Sequence, residues 1–384
     1  MRTPKDWGQP CPNPECTHYS RMKRGNVSAI ATYLTQSGKR RIFRCQACGT
    51  RFSETRDTAF FDLRTPEEHV ILALKMLLVR VDLSGIAFVL GVTEETVLEW
   101  LRRAALKAAQ INAHLLRDLP VTPIQLDEMW NFIERKHPHD SSATGESGPN
   151  STDGRQWIWV SFAPEFRLML VAVVGPRTLE TATEVIAATK ARVRGVPVFF
   201  SDGFTCYLAA LIACFHTMTT FARTGKRGRP RKPVTTPHPA LVYGQLIKEK
   251  KQGRLETVTS RVVLGAERLA QLGLTISTAL IERLNLTMRQ SLAPLVRKTY
   301  SFCKDRDRMR QRVVVFQTFS NFARPPMSLR TPLPLHECVP HGAIRPRWRP
   351  QTPAMSAGVT DHVWTFRELL TAKCEPLHSQ SISG

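Results

Sequence analysis

The sequence lacks a long apolar run that is free of charge. Its apolar stretch from Ala73 to Val92 is interrupted by Lys75, Arg80 and Asp82, and each of these charges would be costly inside a bilayer. The first residues also lack the apolar segment that a secretory signal needs. We therefore expect neither a membrane span nor export.

Acidic residues are scarce, with 32 Asp and Glu against 54 Lys and Arg, a formal net charge of +22 and a pI of about 10.2. This excess is larger than solubility requires, so we expect a polyanionic partner, and nucleic acid before membrane. A merely basic or ribosome-associated surface is the alternative. No internal repeat is visible, and the length of 384 residues with 42% hydrophobic residues is typical of a globular chain of two or three domains, at roughly 150 residues per domain.

The nine cysteines are an odd number, which favours a reducing cytoplasm over a set of disulfides. Four of them form the pairs "CPNPEC" (Cys11, Cys16) and "CQAC" (Cys45, Cys48), with the strand-like "GKRRIFRC" leading into the second pair. Four thiolates at tetrahedral corners hold Zn²⁺ and replace the core that so short a segment lacks. We interpret residues 1–56 as a zinc ribbon; buried thiols without metal, or His18 as a substitute ligand, are the alternatives.

Residues 57–120 contain the pattern of a helix-turn-helix DNA-binding domain. In "SGIAFVLGVTEETVLEWLRRA", Ala87 lies where two helices approach closely and Gly91 makes the turn. The stretch from Thr93 to Arg103 is then the helix presented to the major groove. The candidate DNA contacts are Thr93, Arg102 and Arg103, followed by Lys107. A plain helical hairpin is the alternative.

From Val121 the pattern changes to strands: "PIQLDEMWNFIERK", "QWIWVSFAP", "RLMLVAVVG" and, after a helical segment, "VPVFFSDGF". Three strands, a helix and a fourth strand predict a mixed α/β sheet. The polar "HPHDSSATGESGPNSTDGR" predicts a long hairpin loop between the first two strands. A basic linker and a strand pair follow within about 222–275. Residues 331–384 are Pro-rich, and we expect an extended tail with one helix near "FRELL".

Three carboxylates stand out in this region. Asp127 interrupts one apolar strand and Asp202 ends another, while Glu282 lies on the predicted helix "TALIERLNLTMRQSLAP" beside an apolar stripe. A buried carboxylate is expensive unless it is paired or binds metal. Phosphoryl transfer with two divalent cations ~4 Å apart uses such a set of oxygen ligands. The neighbouring Glu128 is expected to point to the opposite face of its strand.

These residues carry a resemblance. "LDEMWNFI", "SDGFTCYLAAL" and "LIERLNLTMRQSLAPLVRKTYSFCKD" resemble the three catalytic blocks of the DDE transposases of the IS-one family of bacterial insertion sequences. Members of that family begin with a zinc finger and a helix-turn-helix. The similarity runs from Cys11 to about Arg330.

The resemblance implies a ribonuclease-H-like catalytic domain over residues 121–330 of a multidomain α+β chain. It makes Asp127, Asp202 and Glu282 the catalytic, Mg²⁺- or Mn²⁺-binding triad, with Asn285 and Arg289 as matched residues that orient the glutamate or touch phosphate. The implied protein is a cytoplasmic, nucleoid-associated bacterial transposase. It would bind the inverted-repeat ends of an element and target DNA, both double-stranded, and act as a homodimer or larger oligomer because two ends must be joined.

Two departures from the family pattern are visible. The spacing between Asp202 and Glu282 is larger than in compact members, so the linker and strand pair form an insertion, and the C-terminal tail is additional. The insertion begins with "KRGRPRKP" (226–233), which is similar to an AT-hook, with Arg227 and Arg229 as the residues that would enter a narrow minor groove. A basic linker that touches phosphates without preference is the alternative.

Two other functions stay open at this point. A DNA-binding regulator domesticated from such an enzyme would be catalytically inactive, although the carboxylates at all three matched positions are intact. A structure-specific nuclease of the same fold would share the metals and lack strand transfer.

Overall fold

A computed structural model of the protein describes residues 7–133, 155–221, 232–251, 254–297, 299–333 and 347–373. Most of the expected hairpin loop, the hook arginines Arg227 and Arg229 and parts of the expected tail lie outside the described residues. None of the helices in the described ranges is long and apolar enough to cross a membrane.

The N-terminal part is a small three-stranded antiparallel sheet. Its strands are β1 (Val27–Thr35), β2 (Gly38–Cys45) and β3 (Arg51–Ser53), in the order β1-β2-β3. Val27, Phe43 and Phe52 are buried together, with Trp7 packed against them. Because so few apolar side chains cannot stabilise a sheet alone, this part needs a further source of stability.

Three helices follow: α1 (Glu67–Leu77), α2 (Leu83–Leu90) and α3 (Glu94–Leu115). The Asp82 side chain caps α2 by accepting a hydrogen bond from the Gly85 amide at 2.8 Å. Gly91 ends α2 with a φ of 63°, a conformation that glycine adopts without strain. Thr93 caps α3 by accepting from the Thr96 amide at 3.3 Å. These caps fix the sharp turn between α2 and α3.

The largest sheet has six strands, and two helices stand between some of them in chain order. In chain order the elements are β4 (Ile124–Phe132), β5 (Arg155–Ala163), β6 (Leu168–Gly175), α4 (Leu179–Lys190), β7 (Val198–Ser201), α5 (Cys206–Cys214), β8 (His216–Thr219), β9 (Val234–Pro237), β10 (Val242–Lys251) and β11 (Arg254–Leu264). The strand order is β11-β10-β7-β4-β5-β6, while β8 and β9 form a separate hairpin. β4, β7 and β10 are parallel, whereas β5, β6 and β11 pair antiparallel to their neighbours. This mixed sheet is compatible with a ribonuclease-H-like domain.

The remaining helices pack on this sheet and on α3. They are α6 (Ala266–Leu272), α7 (Ala279–Ser291), α8 (Arg306–Phe322), α9 (Pro353–Ser356) and α10 (Phe366–Thr371), with 3-10 turns at Ala293–Leu295 and Met327–Leu329 and the short strands β12 (Thr331–Pro332) and β13 (Trp348–Arg349). α8 covers the edge strand β6: Asn321 donates to the Met169 carbonyl at 2.8 Å and accepts from the Met169 amide at 3.0 Å. An edge strand whose backbone groups are satisfied this way is closed to further pairing.

The C-terminal segment 347–373 differs from the extended tail expected from its prolines. The expected helix near "FRELL" is present as α10, but Leu369 and Leu370 belong to the same buried core as the helices and the large sheet. The Ala59 amide donates to the Leu370 carbonyl at 2.9 Å. Arg367 also forms an ion pair with Glu67, which is buried at the start of α1 and pairs with Arg40 of β2 as well. The segment therefore joins the N-terminal part to the main core.

We expect Leu370→Ala to lower the free energy of unfolding by about 2–5 kcal/mol, because it removes buried methyl groups and leaves a cavity. Leu72→Ala is the matched control, since Leu72 is 45% exposed on α1 and its truncation should cost much less. Denaturant unfolding of the full chain measures both. Equal, small effects would mean that the C-terminal segment does not pack on the core.

Candidate active site and cysteine cluster

The register of the two central parallel strands brings Asp127 and Asp202 together. β4 pairs with β7 as Ile124 with Phe199 and Gln125 with Phe200, so Asp127, in the middle of β4, and Asp202, directly after the end of β7, each lie two residues beyond the last pair. Carboxylate oxygens of Asp127, Asp202 and Glu128 lie within 4.8 Å of one another. We call these three residues the acidic cluster.

Helix α7 is fixed over the cluster by a buried glutamine. Gln125 donates to the Ser277 carbonyl at 2.8 Å and accepts from the Ile281 amide at 2.9 Å, which ties the first turn of α7 to β4. One turn further on, Asn285 donates to Asp127 at 2.7 Å. The sequence analysis missed Gln125, although its position two residues before Asp127 in a strand places both on one face.

Glu128 lies on the other face of β4, where its side chain is 1% exposed. Arg177 donates to it at 2.9 Å through Nε, and the Tyr207 hydroxyl donates at 2.9 Å. The Arg177 guanidinium in turn stacks on Phe204 and Trp157, at 4.1 and 4.8 Å from the ring centroids. Through these contacts, Glu128 points to the face of β4 that strand alternation predicts. One Glu128 oxygen nevertheless lies within 4.8 Å of carboxylate oxygens of Asp127 and Asp202.

Crowding of like charges changes the acidity of the cluster. Burial raises the pKa of Asp127 to about 7, and the charges on Glu128, Asp202 and Glu282 act in the same direction. Burial also raises the pKa of Glu128 to about 7, reinforced by Asp202 and opposed by Arg177. A bound cation would compensate the charge that these carboxyls resist acquiring, so the cluster is suited to a divalent cation. Carboxylate oxygens are also the ligands that Mg²⁺ and Mn²⁺ prefer.

Glu282 lies in the first turn of α7, outside the group of oxygens within 4.8 Å. Thr278 donates to its carboxylate at 2.6 Å, and Lys248 of β10 forms an ion pair with it. Its side chain is 46% exposed, and its charge still acts on Asp127. The structure therefore brings together Asp127 and Asp202 and leaves Glu282 outside their group, held by Lys248 of β10.

Arg289 lies one turn beyond Asn285 on the same helix. Burial lowers the pKa of Arg289 and the neighbouring Arg297 acts in the same direction, whereas the charge of Asp127 opposes both. A guanidinium this close to the acidic cluster is positioned to offset negative charge there.

The four N-terminal cysteines come together at the base of the small sheet. Their sulfur atoms lie within 4.8 Å of one another, with Cys11 to Cys48 at 3.5 Å and Cys16 to Cys45 at 3.8 Å. Zinc–sulfur bonds of ~2.3 Å in a tetrahedron place sulfurs ~3.8 Å apart, so this donor set fits a zinc ion. His18 donates its backbone amide to Cys16 at 3.4 Å, and it is outside the group of four thiols.

Two of these thiols have lowered pKa values. Hydrogen bonds with Thr50 lower the pKa of Cys48 to about 6. The pKa of Cys45 is also lowered, because hydrogen bonds from Cys48, Asn26 and Ala47 outweigh the burial that would raise it. Burial raises the pKa of Cys11. Thiolates are the zinc-binding form, so the cluster is partly prepared for a cation.

The residues expected to touch DNA on α3 are engaged within the protein. Thr93 is the helix cap described above. Glu99 accepts hydrogen bonds from Arg102 at 2.6 Å and from Arg103 at 2.8 Å, and Arg103 also donates to the Phe61 carbonyl. Arg102 keeps about half of its side chain exposed, whereas Arg103 faces the protein more closely. Arg102 is therefore better placed than Arg103 to meet an external phosphate.

Comparisons with known proteins were made on the whole chain. No family model matches it, and no curated protein matches it. Among solved structures, it is similar to the Mos1 strand transfer complex, with 14% identity over 36% of this chain and 52% of that chain and a TM-score of 0.15. The Mos1 transposase paired-end complex with left transposon end is similar at 16% identity, over 37% and 55%, with a TM-score of 0.14.

The chain thus spans about half the length of the Mos1 chains that it matches. A similarity this low establishes neither the fold nor the function of this chain. A proposal of function therefore depends on the geometry of the acidic cluster.

Binding of Mn²⁺ to the acidic cluster should strengthen as pH rises through 7. Asp127 and Glu128 have pKa values raised to about 7, and metal binds the ionised form, so each proton that must leave contributes about a tenfold gain in affinity between pH 6 and 8. Isothermal titration calorimetry with Mn²⁺ at several pH values measures this gain. Asp127→Asn should bind more weakly and with a shallower dependence. An affinity independent of pH would contradict these assignments.

We expect the purified protein to hold one equivalent of zinc at the cysteine cluster, and Cys45→Ser to lose it. Because metal binding and folding are coupled in so small a unit, the variant should also lose the protection of residues 7–56 from proteolysis. Elemental analysis and limited proteolysis measure the two effects. Cys303→Ser is the control, since Cys303 is buried far along the chain in the main core. Wild-type protein with less than about half an equivalent of zinc would contradict a structural site.

Proposed function

We propose that this protein is a DNA transposase of the DDE type, which cuts and joins DNA strands with the help of divalent metal ions. One observation carries the proposal: carboxylate oxygens of Asp127, Glu128 and Asp202 lie within 4.8 Å of one another where two parallel strands adjoin. α7 also brings Asn285 and Glu282 to the same end of the sheet.

The catalytic work falls on Asp127, Asp202 and Glu282 in this proposal. Asp127 and Asp202 are held by strand register, and Glu282 is assigned as the third acid because its charge acts on Asp127 from the first turn of α7. The metal ions, bound by these oxygens, would activate the attacking hydroxyl and offset charge on the leaving oxygen. Asn285 keeps Asp127 in place, while Glu128, held by Arg177 and Tyr207, lies within reach of the same cations.

Recognition of DNA is assigned to the N-terminal part and to the net charge of +22. We propose that the cysteine cluster holds Zn²⁺ and that α2 and α3 form a helix-turn-helix which reads the element ends with Thr93, Arg102 and Arg103 near the duplex. The hook residues Arg227 and Arg229 would add contacts to the minor groove. Work on two ends at once implies a homodimer or a larger assembly on DNA.

An inactive DNA-binding regulator and a structure-specific nuclease are the other candidate functions. Burial raises the pKa of both Asp127 and Glu128, and this favours an enzyme over a regulator, because carboxyls with perturbed pKa values cluster at active sites. The nuclease differs from the transposase only in its products, since it would yield cut DNA without joined strands.

We expect Asp127→Asn, Asp202→Asn and Glu282→Gln each to lower strand cleavage and joining by about a hundredfold or more, because each removes charge that the cations need. Binding to DNA should persist in all three. The measurement uses purified protein, Mg²⁺ and labelled DNA that carries the ends of the element, with products separated by size.

Glu184→Gln is the matched control, since Glu184 is exposed on α4 and should retain full activity. Near-normal joining by Glu282→Gln would reject Glu282 as the third acid, and Glu128→Gln would then be the variant to lose activity. Cleavage without any joined product in the wild type would favour the nuclease.

A further inference from the structure

A buried oxygen atom without a hydrogen-bond partner lies beside the acidic cluster. Asn285 of α7 is 8% exposed, and its Nδ2 donates to Asp127 Oδ2 at 2.7 Å. Its carbonyl oxygen, Oδ1, is buried and accepts no hydrogen bond from the residues that the structure describes. An oxygen that has left water without gaining a new partner is costly, so such an atom in a folded protein calls for an explanation.

The charge of Asp127 decides which end of the Asn285 amide faces it. An ionised carboxylate only accepts hydrogen bonds, so the amide must turn its NH₂ group toward the carboxylate. Rotating the amide by half a turn would instead bring two oxygen atoms together. Oδ1 is bonded to the same carbon as Nδ2, so it lies within about 5 Å of Asp127 Oδ2. It is the end of the side chain that remains for another group.

Helix α7 holds Asn285 firmly in this position. Gln125 of β4 accepts from the Ile281 amide at 2.9 Å and donates to the Ser277 carbonyl at 2.8 Å. Asn285 follows Ile281 by about one helical turn. Because the helix is tied to β4 at this point and the amide is itself bonded to Asp127, the Asn285 oxygen is preorganised for a ligand.

Glu282, the acid that α7 brings to the same end of the sheet, is engaged by other groups. Its carboxylate accepts from Thr278 at 2.6 Å and pairs with Lys248, and 46% of its side chain is exposed. Asn285 is buried instead, and no described residue donates to its oxygen. Of these two side chains of α7, Asn285 therefore offers the better-placed oxygen to a cation at the cluster.

We infer that Asn285 Oδ1 is a direct ligand of a divalent cation bound at the acidic cluster. The inference deepens the proposed function and rests on it, because it adds an oxygen to the same metal site. An amide carbonyl is a hard ligand of the kind that Mg²⁺, Mn²⁺ and Ca²⁺ take in proteins. Because it is neutral, it adds a ligand without adding to the repulsion among Asp127, Glu128 and Asp202.

The test is Mn²⁺ binding to the full-length protein at pH 8, measured by isothermal titration calorimetry. Asn285→Leu removes the oxygen and keeps a side chain of similar size, and it should lower the affinity by about tenfold or more. This loss alone does not identify a ligand, because removing a group that only orients a ligand has an effect of the same size.

Asn285→Asp separates the two roles. It keeps an oxygen at this position and loses the N–H donor to Asp127. A ligand role therefore predicts an Mn²⁺ affinity at least equal to that of the wild type. A role limited to positioning Asp127 predicts a loss as large as that of Asn285→Leu, because the donor is gone and a like charge has been added.

Electron–nuclear double resonance on the Mn²⁺-loaded protein gives a second readout, which a positioning role would not produce. In protein labelled with ¹³C at the side-chain carbonyl of asparagine, a directly bound amide should show a ¹³C coupling to Mn²⁺. Asn285→Asp carries no label at this position and should lose the coupling. A coupling of equal size in this variant would assign the signal to another asparagine and count against the inference.

Two variants control for added charge and for loss of a buried amide. Gln290→Glu adds a charge at an exposed position of the same helix, and it should leave the Mn²⁺ affinity unchanged. Asn112 of α3 is also buried with an oxygen that lacks a described partner, but it is not part of the acidic cluster. Asn112→Leu should therefore bind Mn²⁺ as the wild type does. Unfolding midpoints of all variants report any loss of structure.

The outcomes distinguish the ligand from the transposase itself. Equal losses in Asn285→Asp and Asn285→Leu would leave Asn285 as a positioning residue and overturn the inference. Wild-type affinity in Asn285→Leu would mean that water satisfies the buried oxygen, and would overturn it too. Either result, with cleavage still lost in Asp127→Asn, leaves the proposed function standing. Mn²⁺ binding that requires Asn285, in a protein that never cuts DNA, would support the ligand and reject the enzyme.

Discussion

Repulsion between the carboxylates of Asp127, in the middle of β4, and Asp202, directly after β7, is the constraint on which the rest of the candidate active site depends. The register of β4 and β7 brings Asp127 and Asp202 side by side, and a Glu128 oxygen lies within 4.8 Å of both. The surrounding contacts offset this repulsion. Arg177 and Tyr207 bind Glu128, Asn285 donates to Asp127, and Lys248 pairs with Glu282.

The same constraint explains how pH acts on the protein without metal. Asp127 and Glu128 have pKa values raised above those of an unfolded chain, so their contribution to stability is complete below about pH 4 and is lost as pH rises through 7. A bound divalent cation would reverse this loss, because it favours the ionised form. Binding of metal and stability of the fold at this end of the sheet are therefore linked.

Much of the fold and part of the site follow from local sequence patterns. The strands around Asp127 and Asp202, the helix that carries Asn285 and the two cysteine pairs have clear periodicity or spacing, and each is present. The contacts of Gln125 with α7 and of Arg177 with Glu128 join residues 49 to 156 positions apart. Such contacts depend on strand order and helix docking, which no local pattern contains.

The C-terminal segment shows the limit of composition as a guide. Its prolines suggested an extended tail, yet Leu370 and its neighbours supply apolar surface that the core would otherwise lack. A few buried apolar side chains at helical spacing decide the structure of this segment more than its high proline content does. The reason is that burial of apolar area dominates the free energy of folding. The ion pairs of Glu67 could not be predicted from local sequence, because its partners Arg40 and Arg367 lie far apart in the chain.

These contacts between distant residues also set the order in which the protein can be completed during synthesis. The hydrogen bonds from Ala59 to Leu370 and from Lys373 to Gln9 form only after the ribosome has released residues near the C-terminal end. Closing such long loops is slow relative to local folding. The N-terminal part therefore lacks these contacts until residue 373 has left the ribosome, so a shorter nascent chain would present an incomplete surface to any partner.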